Sequence, residues 1–180
     1  HVQEAIAAGL IWERDDLACF VHDRVQEAAY ALFPPEDRQH THLTIGRHLL
    51  QTHHTNDHEQ NLYQIVDQFN HGLHLVEDEH ERMQIARLNL HAGRDAKKLS
   101  AYSASVEYLK RSASLLDKKI WQEHYPLALD VHNEWIEACY LAVQYPEVEV
   151  LFNKILEHGK QAVDLRIAFK TAIQMKIGIY

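Results

Sequence analysis

Fifteen of the 180 residues are histidines, and they are where chemistry would first be sought. Imidazole ligates metals, exchanges protons near neutrality and donates to anions at helix N-termini. His54 and His58 are four apart and could share one helix face beside His53. No cysteine joins them, and His58 is followed by Glu59-Gln60-Asn61-Leu62 rather than by H-E-x-x-H, so no metal site is assigned. His22-Asp23 is placed differently, between a short apolar run and a helical pattern. There Asp23 can N-cap the helix. Full protonation of the histidines would move the net charge from -8 to +7, so acid should destabilise the chain or drive self-association, even with most histidines on solvated faces.

Other reactive patterns are absent. Gly159-Lys160 lacks the upstream glycine and the following Ser/Thr of a phosphate loop, and His22-Asp23-Arg24 has the wrong order for a kinase catalytic loop. No G-x-S-x-G occurs. Arg111-Ser112-Ala113-Ser114 could accept phosphate, but Ser112 falls on a position expected to be buried. No catalytic residue is assigned, and this segment is not expected to be an enzyme.

Composition narrows the partners. The chain is 46% hydrophobic, enough for one good core or two small ones, and six glycines with four prolines leave few long loops. The charge of -8, with no basic run longer than Arg94 to Lys98, argues against nucleic acid. No apolar run reaches the ~18 residues that would span a bilayer, and the start has no basic n-region, so no membrane role and a cytoplasmic location are expected. Cys19 and Cys139 read as small buried apolar groups rather than a disulfide.

The elements that must hold these residues can be read in order. Val2 to Ala8 is a short helix with Gly9 after its end. Leu10-Ile11-Trp12 and Leu17 to Val21 flank a polar turn, which predicts a β-hairpin. A helix starting at Asp23 should bury Val25, Ala28, Ala29 and Leu32. Pro34 ends it, and Pro35 opens a helix burying Leu43, Ile45, Gly46, Leu49 and Leu50. Helix, hairpin, helix is the back half of a winged-helix unit, or else a connector of no particular family. Gln51 to Gln60 reads as a hinge. Beyond it the spacing predicts helices over Leu62–Leu73, Glu81–Leu99 (Ile85, Leu88, Ala92, Ala96 and Leu99 inward), Tyr102–Leu116, Leu127–Val143 and Val148–Glu157. The last helix runs from near Gln161 and is still helical at Tyr180. Asp117 to Pro126 reads as a connector.

The helical part shows a repeat. From Gly93, the residues Ala96, Ser100, Tyr102, Ser105, Leu109 and Ser112 match in size the small and aromatic positions of a tetratricopeptide unit. A degenerate second unit lies 43 residues on, with Cys139, Tyr145 and Phe152 in register but Ile136 and Val148 at positions that want small residues. The Lys118 to Pro126 connector lengthens the offset, and Gln161 to Tyr180 would open a third unit. An irregular helical bundle shares the same local physics. The expectation is an all-α protein: a right-handed α-α superhelix of tetratricopeptide-like repeats (residues 34–180) preceded by a partial winged-helix unit with one small β-hairpin (residues 1–33). Both ends read as cuts within a longer protein.

The stretch FVHDRVQEAAYALFPPEDRQHTHLTIGRHLL resembles the junction after the ATPase core in bacterial STAND-type signalling ATPases. Most similar are the multidomain proteins with a Ser/Thr kinase, an AAA-type ATPase, helical repeats, a GAF domain and a sensor histidine kinase. NLHAGRDAK at Asn89 to Lys97, Ala101-Tyr102, Tyr108-Leu109 and Leu115-Leu116-Asp117 resemble them too. Val21-His22-Asp23 is similar to their M-H-D element, with Val for Met. The resemblance implies His22 as a sensor of the ADP phosphate, Asp23 as the cap that positions it, and ATP/ADP as the nucleotide of the parent protein, with no cofactor in this segment itself. It implies a non-catalytic regulatory segment whose partners are the upstream ATPase domain and an unknown protein or small-molecule effector on the repeats. A stand-alone repeat adaptor, or the ligand-sensing region of a transcription activator, are the other readings.

Overall fold

The computed structural model describes residues 2–14, 17–52, 58–116 and 119–178. Among these the chain is helical apart from one antiparallel hairpin. Helix α1 (Val2–Ala7) ends as expected: Gly9 takes φ 69, the left-handed value glycine adopts freely, and Leu10 N–H donates back to the Ala5 carbonyl. Strands β1 (Ile11–Arg14) and β2 (Leu17–Phe20) pair with Trp12 opposite Cys19, and a Val21 to Leu10 hydrogen bond extends the ladder. Helix α2 (Asp23–Leu32) stops where Phe33 turns extended before Pro34, and Pro35 opens α3 (Pro35–Thr52). The residue before a proline is driven out of the helical region, so the break is local chemistry.

Of the hinge expected over Gln51 to Gln60, the described residues are helical, and residues 53–57 lie outside them. Helix α3 includes Gln51 and Thr52, and α4 (His58–His71) begins at His58. His53 and His54 lie outside the described residues. A 3₁₀ turn (Leu73–Leu75) leads to α5 (Glu79–Lys98), capped by Asp78, whose Oδ1 accepts from Glu81 N–H at 2.7 Å. Then come α6 (Tyr102–Leu115), a one-turn α7 (Ile120–Glu123), α8 (Tyr125–Leu141), α9 (Tyr145–His158) and α10 (Arg166–Gly178). The expected connector thus holds α7, which buries Ile120 and Trp121. Helix α10 starts later than expected, after a turn at 162–165.

The centre of the molecule is an antiparallel pair, α5 against α6. Ser105 Oγ donates to the Gly93 carbonyl at 2.7 Å and Ser112 Oγ to the Ala86 carbonyl at 2.8 Å. Both serines are fully buried and seven residues apart, so one face of α6 is tied twice to the backbone of α5. This approach requires Gly93: a Cβ there would stand 2.6 Å from Leu109 Cγ. Gly46 plays the same part between α3 and α4, where a Cβ would meet the Phe69 ring at 3.2 Å.

One turn geometry recurs at the 43-residue offset. Ser100 and Val143 both take φ 61. Ala101 N–H donates to Ala96 O and Gln144 N–H to Cys139 O, at 2.9 and 2.8 Å. Asn89 Nδ2 donates to Ile85 O, and 43 positions on His132 Nδ1 donates to Ala128 O. The α5/α6 and α8/α9 hairpins are therefore built on one turn. Their shared core joins Leu90, Val106, Leu109, Val131, Ile136 and Ile155, and α10 adds Ala168 and Met175. A second cluster joins Leu43, Phe69 and Ile85 across α3, α4 and α5.

Several residues expected to be buried are not. Leu99 is past the end of α5 and 74% exposed. Ile45 is exposed, because α4 covers the Leu43 and Gly46 side of α3. No residue of α2 is buried: Val25 and Ala29 are half-covered, Ala28 is exposed and Leu32 is 85% exposed. The stripe has the right spacing, but the described elements cover it only in part, at Val25 and Ala29. No helix among the described residues is long and apolar enough to cross a membrane.

Candidate functional site

His22 stands at the joint between β2 and α2. Its φ of -144 and ψ of 146 are extended, while its carbonyl accepts from Val25 N–H (2.9 Å) and Gln26 N–H (3.3 Å). His22 is therefore the N-cap residue, and Asp23 is the first residue of the helix. That corrects the cap by one position, because the chain is still strand-like at His22. The His22 ring makes no cap hydrogen bond. Both side chains are exposed, and the Asp23 carboxylate lies at the positive end of α2.

Around this joint the apolar surface faces outward. Leu10, Trp12, Phe20, Val21, Leu32 and Phe33 are each at least two-fifths exposed. Between the hairpin, α2 and α3 lies a cleft of about 220 Å³ lined by Phe20, Ala29, Tyr30, Phe33, Arg38 and Ile45.

A line of polar contacts runs from α2 into the helices behind it. Arg38 of α3 donates from Nε to Phe33 O at 2.7 Å and from Nη2 to Ala31 O at 3.0 Å, satisfying end carbonyls of α2. Its guanidinium lies over the Tyr30 ring, 4.7 Å from the centroid. The Tyr30 hydroxyl donates to His42 Nε2 at 3.0 Å, and His42 Nδ1 donates to Gln68 Oε1 at 2.7 Å. The amide oxygen can only accept, which assigns the proton to Nδ1. His42 also stacks on His71 at 4.5 Å. From α4, Asn70 and Asn89 exchange two amide hydrogen bonds of 3.0 and 3.1 Å. Arg47 holds Glu81 through two bonds of 2.6 and 2.7 Å, tying α3 to α5.

The line ends in an ion cluster between α5 and α8. Arg94 pairs with Asp130 and, at 2.9 Å, with Glu134; Lys97 pairs with Glu134 at 2.6 Å and Glu137 at 2.7 Å. Burial works against the charge of Lys97, but Glu134 and Glu137 outweigh it and hold its pKa above the ordinary lysine value. Burial likewise opposes ionisation of Glu134, and Lys97 with Arg94 outweigh it, so its pKa lies below the usual carboxylate value. The longest basic run in the sequence is thus spent on internal pairs.

Two buried groups stand apart. His132 is 2% exposed and sits beside Trp121 (4.8 Å) and Trp135 (6.1 Å). Burial pushes its pKa down to about 4, against the opposing bond to Ala128. Its equivalent Asn89 finds Asn70, but His132 Nε2 has no hydrogen-bond partner among the described residues. Burial pushes the Cys139 thiol up to about 12, with Glu147 adding to it, so this cysteine is a packing group. No group of three or more metal-ligating side chains occurs among the described residues.

Sequence reasoning singled out His22 and Asp23 but missed Tyr30, Arg38, His42 and Gln68. Only the Pro34-Pro35 break hinted at them, because two helices so tightly joined must satisfy their ends across the corner.

Comparison with known proteins gives a relative but no family. No protein-family profile matches the chain, and no solved structure matches it. The chain is similar to a signal transduction histidine kinase: it is 28% identical over 181 aligned residues to hybrid signal transduction histidine kinase G of Dictyostelium discoideum. The match takes in 87% of this chain and 5% of that protein's length.

Proposed function

We propose that this chain is a non-catalytic regulatory and protein-interaction segment of a multidomain signalling kinase, in which it couples the nucleotide state of an upstream STAND-type ATPase to partner binding. The carrying observation is α2. Ten residues of helix with an apolar stripe and no buried side chain make a poor free-standing element, since isolated helices this short are marginal in water. The hairpin, α2 and Leu32 form a face suited to a neighbouring domain, and His22 lies at its edge. In this reading residues 1–33 are the end of a winged helix, residues 34–180 a tetratricopeptide-like superhelix, and the segment works in the cytoplasm. The likeness to a hybrid histidine kinase and the recurring turn support that arrangement.

In this reading the mechanism would run through the α2 joint. His22 would donate to the β-phosphate of ADP held by the upstream domain, closing the hairpin face on it. Movement of α2 would pass through Arg38, Tyr30 and His42 to α4, and through the Asn70–Asn89 pair to α5. The array would then favour or disfavour its effector, a coupling that acts equally in both directions. His22→Ala in the full-length parent should speed ADP release. Unaltered nucleotide exchange would reduce His22 to a packing residue.

A further inference from the structure

Helix α7 is one turn long, and a single residue joins it to α8. His124 caps the end of α7 and the start of α8, with φ -133 and ψ 47, outside the helical region. Its N–H donates to Ile120 O, and its carbonyl accepts from Leu127 and Ala128 N–H. Side chains hold α7 in place across this joint. Ile120 and Trp121 are buried with Ala128 of α8, against Met83, Leu116 and Leu129. The Trp121 ring meets two imidazoles, His132 of α8 at 4.8 Å and His158 at the end of α9 at 4.7 Å.

His132 is the weak point of this contact. Its Nδ1 donates to Ala128 O at 2.7 Å, which leaves Nε2 as the basic nitrogen. Nε2 is buried and has no partner among the described residues, so a proton added there is a buried charge without an acceptor. Burial is the chief obstacle to that charge; Lys154 and His158 of α9 add to it, and the bond to Ala128 opposes it. The carboxylates around the site are engaged elsewhere. Glu157 pairs with His158 at 4.0 Å, Asp130 and Glu134 face Arg94 and Lys97 of α5, and Asp164 accepts from the Tyr125 hydroxyl. Lys160 lies over the Tyr125 ring, and Lys119, Glu123 and His124 of the α7 segment are exposed. Helices α6 and α10 also pack on α8, and among the described residues they bring no charge that acts on the ring.

We propose that α7 is a proton-operated latch: protonation of His132 lifts Ile120 and Trp121 off α8 about the His124 joint and uncovers the apolar strip of Met83, Leu116, Ala128 and Leu129. With Trp121 displaced, water reaches Nε2 and the imidazole takes its proton at about pH 6.5, as an ordinary histidine does. The closed form excludes the same proton down to about pH 4. Between these values each pH unit favours the open form about tenfold. The opening is local, because the Ser105 and Ser112 bonds that tie α6 to α5 do not involve α7. This latch is independent of the proposed nucleotide coupling.

Hydrogen exchange of the 180-residue chain, read by mass spectrometry and corrected for the intrinsic pH dependence of amide exchange, tests the latch. Residues 120–124 should be less protected than α5 and α6, and about 1 M urea should leave their exchange unchanged while accelerating that of α5 and α6. Their protection should fall about thirtyfold from pH 7.5 to pH 5, and His132→Leu should abolish that fall. Trp121→Ala, which removes the lid and keeps the imidazole, should give the same low protection at both pH values. Equal protection of residues 120–124 at the two pH values in the unmodified chain would overturn the proposal. So would exchange that follows α5 and α6 in urea, which would make the acid effect global unfolding alone, or a full pH dependence in the His132→Leu chain.

Discussion

His132 shows how one residue can report on the fold around it. It repeats the place of Asn89 and the same bond to the carbonyl four residues back, but α7 brings Trp121 where α4 brings Asn70. The imidazole is held neutral in the folded chain, with a pKa of about 4 against about 6.5 in the unfolded one. Below pH 6.5 the unfolded chain takes up a proton that the folded chain refuses. Stability therefore falls as pH drops from about 6.5 to about 4, by up to about 3 kcal/mol from this group. Glu134 acts in the same direction at the acid end, since its depressed pKa makes its contribution fade as it protonates. Denaturant midpoints across this range should slope downward with acid, and His132→Leu should flatten the upper part of that slope. At the same scale, Val143 is a β-branched residue at φ 61 with its side chain exposed. The left-handed conformation costs such a residue about 1–2 kcal/mol, more than the added chain entropy of glycine. Val143→Gly should stabilise the chain by about 0.5–1 kcal/mol, read as a raised melting temperature.

At the scale of elements, the two serine bridges and Gly93 make α5 and α6 the most closely joined pair. Gly93→Ala would push a Cβ against the fully buried Leu109 and should cost about 1–3 kcal/mol in chemical denaturation. This pairing was legible in the sequence because small residues at fixed offsets have one common cause, close backbone approach. The breaks at Gly9 and at Pro34-Pro35 were legible too, since they are set by the residue itself. Burial on α2 was not: spacing tells which residues share a face, and only a neighbouring element decides whether that face is covered. Leu99 failed because the helix ended one residue earlier. The one-turn α7 was hidden because Ile120-Trp121 is too short a run to show any period. The polar line through Arg38, Tyr30 and His42 was unreadable for a similar reason, since its members come from two helices whose corner geometry fixes their distances.

For the whole molecule, the structure has two unlike ends. One is the hairpin and α2, apolar and uncovered around His22; the other is the α9/α10 pair, with an apolar groove lined by Phe152, Phe169 and Ile173. Three separate groups of polar contacts, Arg38–Tyr30–His42–Gln68, Asn70–Asn89 and the ion pairs of Arg94 and Lys97, lie on successive helices, and such contacts transmit only where their elements have two arrangements. The chain is similar to a stretch of a hybrid signal transduction histidine kinase, and the match covers 5% of that protein. The most direct test of the regulatory reading is Leu32→Asp. Leu32 is 85% exposed, so the 180-residue chain should keep its melting temperature within about 0.5 kcal/mol of stability. In the full-length parent the same change should open the hairpin face and accelerate ADP release, measured by displacement of a fluorescent nucleotide. An unchanged release rate in a parent whose nucleotide site is intact would contradict the account.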